Sequence, residues 1–326
     1  MRKLGRQILY ILLVCCCLPC VANKQKTGLL PPEARLIENV VYKNTPQGAQ
    51  KLDIYLPYAQ TSSNTPVVVF IHGGSWMHGN KEEMSKKEWI SLMLTEMLKS
   101  GYAVVCIDYR LVNDSFTVVY PEPLADCKDA VKWVRANSQQ YGFNPDRIAV
   151  MGTSAGGHLA LMTAYSPDGI APGDKALDLY SAKVKCVVDI YGPTDMSKIL
   201  RSRLSPFVVS LASLKIKKNI IDMRSILLWS FTGESAAHPQ RRTRKCLHYS
   251  PMTYVQDAVP TIVFHGTKDT VVPFSHTQWL QQAMTARGHV IEVHPIDGEN
   301  HVFPTITTDK SREMTESLIR FLNKYL

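Results

Sequence analysis

No apolar run among the 326 residues reaches the roughly 18–20 that a helix needs to cross a bilayer, so no membrane span is expected. No segment recurs at a period of about 20–50 residues, which sets solenoids and propellers aside. Cysteine is sparse outside one short stretch. Four of the eight (Cys15, Cys16, Cys17, Cys20) cluster near the start, while Cys106, Cys127, Cys186 and Cys246 lie far apart. Such spacing does not make a disulfide framework, and no cysteine–histidine cluster has the spacing of a zinc site. Cys106 and Cys186 fall in apolar runs and are expected to be buried free thiols. The net charge is +9, yet no nucleic-acid-binding motif accompanies it, so nucleic acid is not an expected partner.

What is present is the balance of a folded chain: 45% hydrophobic and 20% charged residues. A chain of this length can bury a core without disulfide or metal staples. The first 22 residues stand apart. Arg2, Lys3 and Arg6 precede an apolar run of 13 residues, Ile8 to Cys20, and Cys20-Val21-Ala22 ends in small residues. That is the three-part pattern of a secretory signal peptide, so residues 1–22 are expected to be a signal and the protein exported. Lipid anchoring through Cys20 is the less expected form, because Cys20 follows Pro19 rather than a small residue.

Residues 23–326 read as a single domain. Arg35–Tyr42 and Lys51–Leu56 alternate in polarity and suggest two antiparallel strands. Short, fully apolar runs follow at Val67–Ile71, Ala103–Asp108, Arg147–Met151, Val184–Ile190, Thr261–His265 and Val290–Val293. Strands of that kind belong to a sheet covered on both faces. Amphipathic stretches at 82–99, 124–139, 155–165, 275–287 and 309–325 alternate with them. The expected fold class is therefore α/β, with a mainly parallel central sheet between helices. Residues 197–247 interrupt the alternation and carry eleven Lys and Arg against Asp222 and Glu234. This segment is expected to be an inserted cap over one end of the sheet, and its charge could draw an anionic ligand.

Four motifs fall at successive strand ends. Gly152-Thr153-Ser154-Ala155-Gly156 fits G-x-S-x-G and sits between a strand and a helix-compatible run. That setting holds a serine in a strained turn with its hydroxyl projecting. His72-Gly73-Gly74-Ser75-Trp76 follows Val67–Ile71, and backbone N–H groups of Gly73 and Gly74, with that of Ala155, are the expected donors to an oxyanion. His265-Gly266-Thr267-Lys268-Asp269 places a carboxylate just past a strand, and Asn300-His301 lies in the polar turn after another. The order Ser154, Asp269, His301 is neither the chymotrypsin nor the subtilisin order but the hydrolase one. Asp297 and Glu299 compete for the acid role, with Asp269 preferred because it stands directly after a strand. His72 is expected to shape its loop, His158 and Tyr109 to pack, and Arg110 and Asp126 to form an ion pair.

On these residues the chain resembles the α/β-hydrolase superfamily, and within it the HGG-type carboxylesterases that include acetyl xylan and feruloyl esterases. The resemblance runs from Lys51 to the C-terminus and takes in Ile107–Leu111, Ala125-Asp126, Gly152–His158, Ser250–Val255, His265–Pro273 and Gly298–Phe303. Ser75 departs from it, standing where the commoner form has a third glycine. The resemblance implies Ser154 as nucleophile, His301 as base, Asp269 as its orienting acid and Gly73, Gly74 and Ala155 as oxyanion hole. It implies an acyl-enzyme reaction on small acyl esters or acylated oligosaccharides of plant type, without metal or organic cofactor. Activity should fall at low pH as the imidazole becomes protonated. Competing readings are a peptidase of the prolyl-oligopeptidase type, set second by the short stretch ahead of His72, and a non-catalytic binding protein on the same fold. An amidase of the kynurenine-formamidase kind shares the HGG motif but fits the signal segment poorly. The oligomeric state is open.

Overall fold

The computed structural model describes residues 35–57, 64–200, 226–233 and 239–326. Eight strands form one sheet: β1 (Arg35–Thr45), β2 (Gly48–Leu56), β3 (Thr65–Ile71), β4 (Ala103–Ile107), β5 (Phe143–Thr153), β6 (Cys186–Ile190), β7 (Thr261–Gly266) and β8 (Ile291–Ile296). Their spatial order is β1-β2-β4-β3-β5-β6-β7-β8. β1 and β2 pair antiparallel with each other, and β2 with β4; every later pairing is parallel. The antiparallel pair expected from alternation and the parallel series expected from apolar runs are both present. The fold is that of the α/β hydrolases.

The central strands are apolar throughout because both faces are covered. Val67, Val69 and Ile71 of β3 face one core, which also holds Leu124, Val131, Leu159 and Leu280. Val68 and Phe70 face the other, with Met93, Leu94, Leu318 and Phe321. The period of two in β3 thus sorts residues between two helical layers. On the first side lie α1 (Glu122–Ala136), α2 (Ala155–Tyr165) and α3 (Ser275–Thr285); on the second, a helix over Glu88–Lys99 packs against the last one, Thr308–Tyr325.

The helix α2 departs from the expected amphipathic pattern. Ten of its eleven residues are buried, because it runs behind β5 and under other elements. A helix enclosed on all sides has no polar stripe to show. The four cysteines of the described chain, Cys106, Cys127, Cys186 and Cys246, are buried and unpaired. The expected ion pair is present and larger than anticipated. Arg110 forks onto Asp126 with Nε–Oδ2 and Nη2–Oδ1 distances of 2.8 Å, and Lys43 bridges Asp126 at 2.8 Å to Asp129 at 2.6 Å.

Of the expected cap, the described portions are helical at 196–199 and 226–232 and in the helix Pro239–His248. Residues 201–225 and 234–238 lie outside the described residues, as do 1–34 with the expected signal segment. Among the described residues no helix is long and apolar enough to cross a membrane.

Candidate active site

The ends of β3, β5, β7 and β8 converge on one rim of the sheet, the side where open parallel sheets place their sites. At the end of β5 the chain turns sharply. Ser154 sits at φ 53°, ψ −117°, and α2 begins at the next residue. Only glycine permits this turn to close: a Cβ on Gly152 would collide with the carbonyl of Gly156, and one on Gly156 with the carbonyl of Ile71. The Ser154 N–H donates to the Ile190 carbonyl at 2.8 Å, pinning the turn to β6.

The Ser154 Oγ lies 2.9 Å from His301 Nε2, and His301 Nδ1 lies 2.7 Å from Asp269 Oδ2. A carboxylate can only accept, so Nδ1 carries the proton and Nε2 is left to receive one from the serine hydroxyl. The other oxygen of Asp269 accepts the N–H groups of Val271 and Val272, each at 2.8 Å. Burial alone would raise the Asp269 carboxyl. Hydrogen bonds from His265, His301 and the Val272 N–H outweigh it and hold the group well below the usual carboxylate range. Asp297 and Glu299, the alternative acids, are occupied elsewhere: Asp297 accepts from Thr267 Oγ1 at 3.1 Å and Glu299 from Thr305 Oγ1 at 2.6 Å.

The histidine loop is held against the acid loop by Asn300, whose Oδ1 accepts from the N–H of Thr270 at 3.0 Å and of His301 at 2.7 Å. Tyr191 stands edge-on to the His301 ring, centroids 4.7 Å apart. Val302 and Phe303 follow at φ 63° and 51°, a left-handed pair of bulky residues that folds Phe303 back against Tyr191.

In the oxyanion loop one expected donor already has a partner. The Gly73 N–H donates to Glu83 Oε2 at 2.9 Å. Among the described residues, the N–H groups of Gly74, Ser75 and Ala155 have no such partner. The Ser75 N–H was not singled out from the sequence, because its side chain breaks the glycine run while its N–H is unaffected. Gly74 and Ser75 adopt φ of 105° and 56° to make the turn. His72 shapes this loop as expected: its Nδ1–H donates to the Gly73 carbonyl at 2.7 Å and its ring stacks on Tyr109 at 4.2 Å. Burial pushes His72 down to about 4, which keeps it neutral.

His158, in α2 behind the serine, takes Trp76 Nε1–H on its Nδ1 at 3.2 Å and donates from Nε2 to the Tyr249 carbonyl at 2.8 Å. Burial pushes it too down to about 4. Phe231, from the 226–232 stretch, stands edge-on to Trp76 at 5.3 Å and stacks on Tyr120 at 4.1 Å. Among the described residues no cluster of His, Cys, Asp and Glu has the makings of a metal site.

The BD-FAE family model matches residues 52–284. A probable carboxylic ester hydrolase, LipM, from Mycobacterium tuberculosis is 29% identical over 262 residues, 78% of this chain and 51% of that protein. The chain thus spans about half the length of this curated relative. A native esterase from the planctomycete Thermogutta terrifontis superposes with a TM-score of 0.66 at 25% identity, covering 90% of this chain and 92% of that one. A truncated carbohydrate esterase from gut microbiota gives 0.66 at 22% identity, covering 88% and 96%, and bears on the fold alone.

Proposed function

Because the chain belongs to the BD-FAE family, we propose that it is a serine carboxylic ester hydrolase acting through an acyl-enzyme. The observation that carries this is the unbroken hydrogen-bonded series Ser154–His301–Asp269 at the mouth of the parallel sheet. His301 Nε2 takes the hydroxyl proton as Ser154 Oγ attacks the ester carbonyl. Asp269 fixes the imidazole tautomer and steadies its positive charge. The carbonyl oxygen, now negative, is received by the N–H groups of Gly74, Ser75 and Ala155. His301 returns the proton to the departing alcohol, and a water molecule repeats the cycle to release the acid.

The finer reading is an exported esterase that removes short acyl groups, acetyl or feruloyl, from plant-type polysaccharide. It rests on the signal-like residues 1–22 and on the family. Segment 197–247 caps the acyl cleft in this reading, a role supported by Phe231 packing on Trp76 of the oxyanion loop. The test is turnover of a short-chain nitrophenyl ester beside a prolyl peptide, in wild type and Ser154→Ala. Ester turnover abolished by the substitution upholds the proposal; peptide turnover alone moves the case to a peptidase. Mass spectrometry of released acids from acetylated and feruloylated oligosaccharides identifies the acyl group.

A further inference from the structure

Oxyanion stabilisation draws on two separate stretches of chain, the turn after β3 and the start of α2. Their donors must hold a fixed separation to within a few tenths of an ångström. The sheet does not supply this. The β3–β5 ladder ends at the Ile71–Gly152 pair, one step short of both stretches. Beyond that pair the Glu83 carboxylate spans the gap next to the donors, while the Trp76 Nε1–His158 Nδ1 bond joins the same two stretches farther from them. Glu83 Oε2 accepts the Gly73 N–H at 2.9 Å, and Glu83 Oε1 accepts the Thr153 hydroxyl at 3.1 Å. Gly73 immediately precedes the donors Gly74 and Ser75. Thr153 immediately precedes Ser154 and stands two residues before Ala155.

The two stretches are packed closely enough for a short bridge to govern them. A Cβ on Gly73 would lie 3.1 Å from Thr153 Oγ1 and 3.4 Å from Ser154 Cβ. The bridge is itself anchored. Glu83 belongs to the short helical turn Lys81–Ser85, and Lys81 is buried there. The Lys81 Nζ pairs with Asp53 Oδ2 at 3.0 Å, and its N–H donates to Asp108 Oδ1 at 2.8 Å. The turn is thereby fastened to β2 and to the loop after β4, and the carboxylate is presented in place before any substrate arrives.

We infer that Glu83 is a positioning residue of the ester-hydrolase site, clamping the Gly73 turn to Thr153 so that the two sets of oxyanion donors keep their separation. The inference rests on the proposed esterase reading. Glu83 does not touch the substrate; it consumes the Gly73 N–H and so assigns the oxyanion to Gly74, Ser75 and Ala155. Neutral glutamine can make the same two contacts, its carbonyl accepting from Gly73 and its amide donating to the Thr153 oxygen. Alanine can make neither.

The test measures kcat, KM and thermal midpoint on nitrophenyl acetate for wild type, Glu83→Gln, Glu83→Ala, Thr153→Val and the Glu83→Ala/Thr153→Val double variant. The clamp requires Glu83→Ala to lose about 10- to 100-fold in kcat with KM within about twofold, the scale of a small misplacement in a site. Glu83→Gln recovers most of that loss. Thr153→Val loses less, and the double variant loses no more than Glu83→Ala, because both remove one bridge. Wild-type kcat in Glu83→Ala overturns the inference, as does a Thr153→Val loss that simply multiplies with it. If Glu83→Ala does not fold, Glu83→Gln and Thr153→Val decide: a Gln variant as impaired in kcat as Ser154→Ala, or a Val variant unchanged from wild type, overturns it. A wild type inert toward every ester fails the function itself and takes the clamp with it, whereas an active wild type with an indifferent Glu83 fails the clamp alone.

Discussion

His265 and His301 address the same oxygen of Asp269. His301 Nδ1 stands 2.7 Å from Oδ2 and His265 Nε2 stands 3.3 Å from it. His265 is fixed in turn, with Nε2 donating to the Val272 carbonyl at 2.8 Å and Nδ1 2.6 Å from Thr277 Oγ1. The acid is thus steadied from its buried side while it orients the working imidazole. Asp269→Asn leaves the packing nearly intact but offers an amide N–H to Nδ1 and favours the wrong tautomer. We expect kcat to fall by roughly 10³- to 10⁴-fold with little change in KM, checked by steady-state kinetics on a nitrophenyl ester.

Two buried carboxyls near the rim respond to pH in opposite senses. Asp269 is held low, so its contribution to stability is present above the ordinary carboxylate value near 4 and is lost as pH falls below it. Asp189 is raised to about 6 by burial, against the opposing pull of His265 and the Gly192 N–H. One of its oxygens accepts from Gly192 at 2.9 Å and the other has no partner among the described residues. The folded state therefore binds a proton there more tightly than the unfolded state. Its contribution is full below about 4 and is lost as pH rises through 6. Asp189→Asn cannot titrate, so relative to wild type it should gain about 2 kcal/mol between pH 4 and pH 7. Urea denaturation at both pH values checks this; a difference that does not vary with pH refutes it.

Glycine substitutions should divide by what a Cβ meets. Gly74 sits at φ 105°, and a Cβ there would strike the backbone carbonyl of His78. Gly74→Ala is expected to cost about 3 kcal/mol or more and to abolish turnover. At Gly169 a Cβ meets open space. Gly169→Ala should leave activity unchanged and hold or raise stability by up to about 1 kcal/mol. Paired thermal melts and ester assays distinguish the two.

Lys43 joins Asp126 and Asp129 in a setting where both carboxylates are fully buried. Lys43→Met removes the cation and leaves that negative charge under-compensated, although Arg110 still covers Asp126. A loss of about 3–5 kcal/mol in unfolding free energy is expected. A second change, Asp129→Asn, should restore part of it, and chemical denaturation of the single and double variants reads the coupling.

Most of the architecture was legible in the chain, for a physical reason. Buried parallel strands are apolar throughout, and runs such as Val67–Ile71 announce themselves. The turn at Ser154 was equally legible, since Gly152 and Gly156 stand where a side chain would meet backbone. Hydrogen-bond ownership was not legible. That Gly73 is taken by Glu83, and that Asp269 serves two histidines, depends on side chains meeting across distant segments. The enclosed character of α2 was hidden as well: burial on every side follows from neighbours supplied by the whole sheet.

The bonds that join Ser154, His301 and Asp269 reach across the chain. Asp269 and His301 are 32 residues apart, and Ser154 and His301 are 147 apart. No fragment, and no partly ordered state lacking the last strand, can bring the three groups together. Recovery of ester cleavage after dilution from denaturant is therefore a clock for the final long-range closure rather than for helix formation.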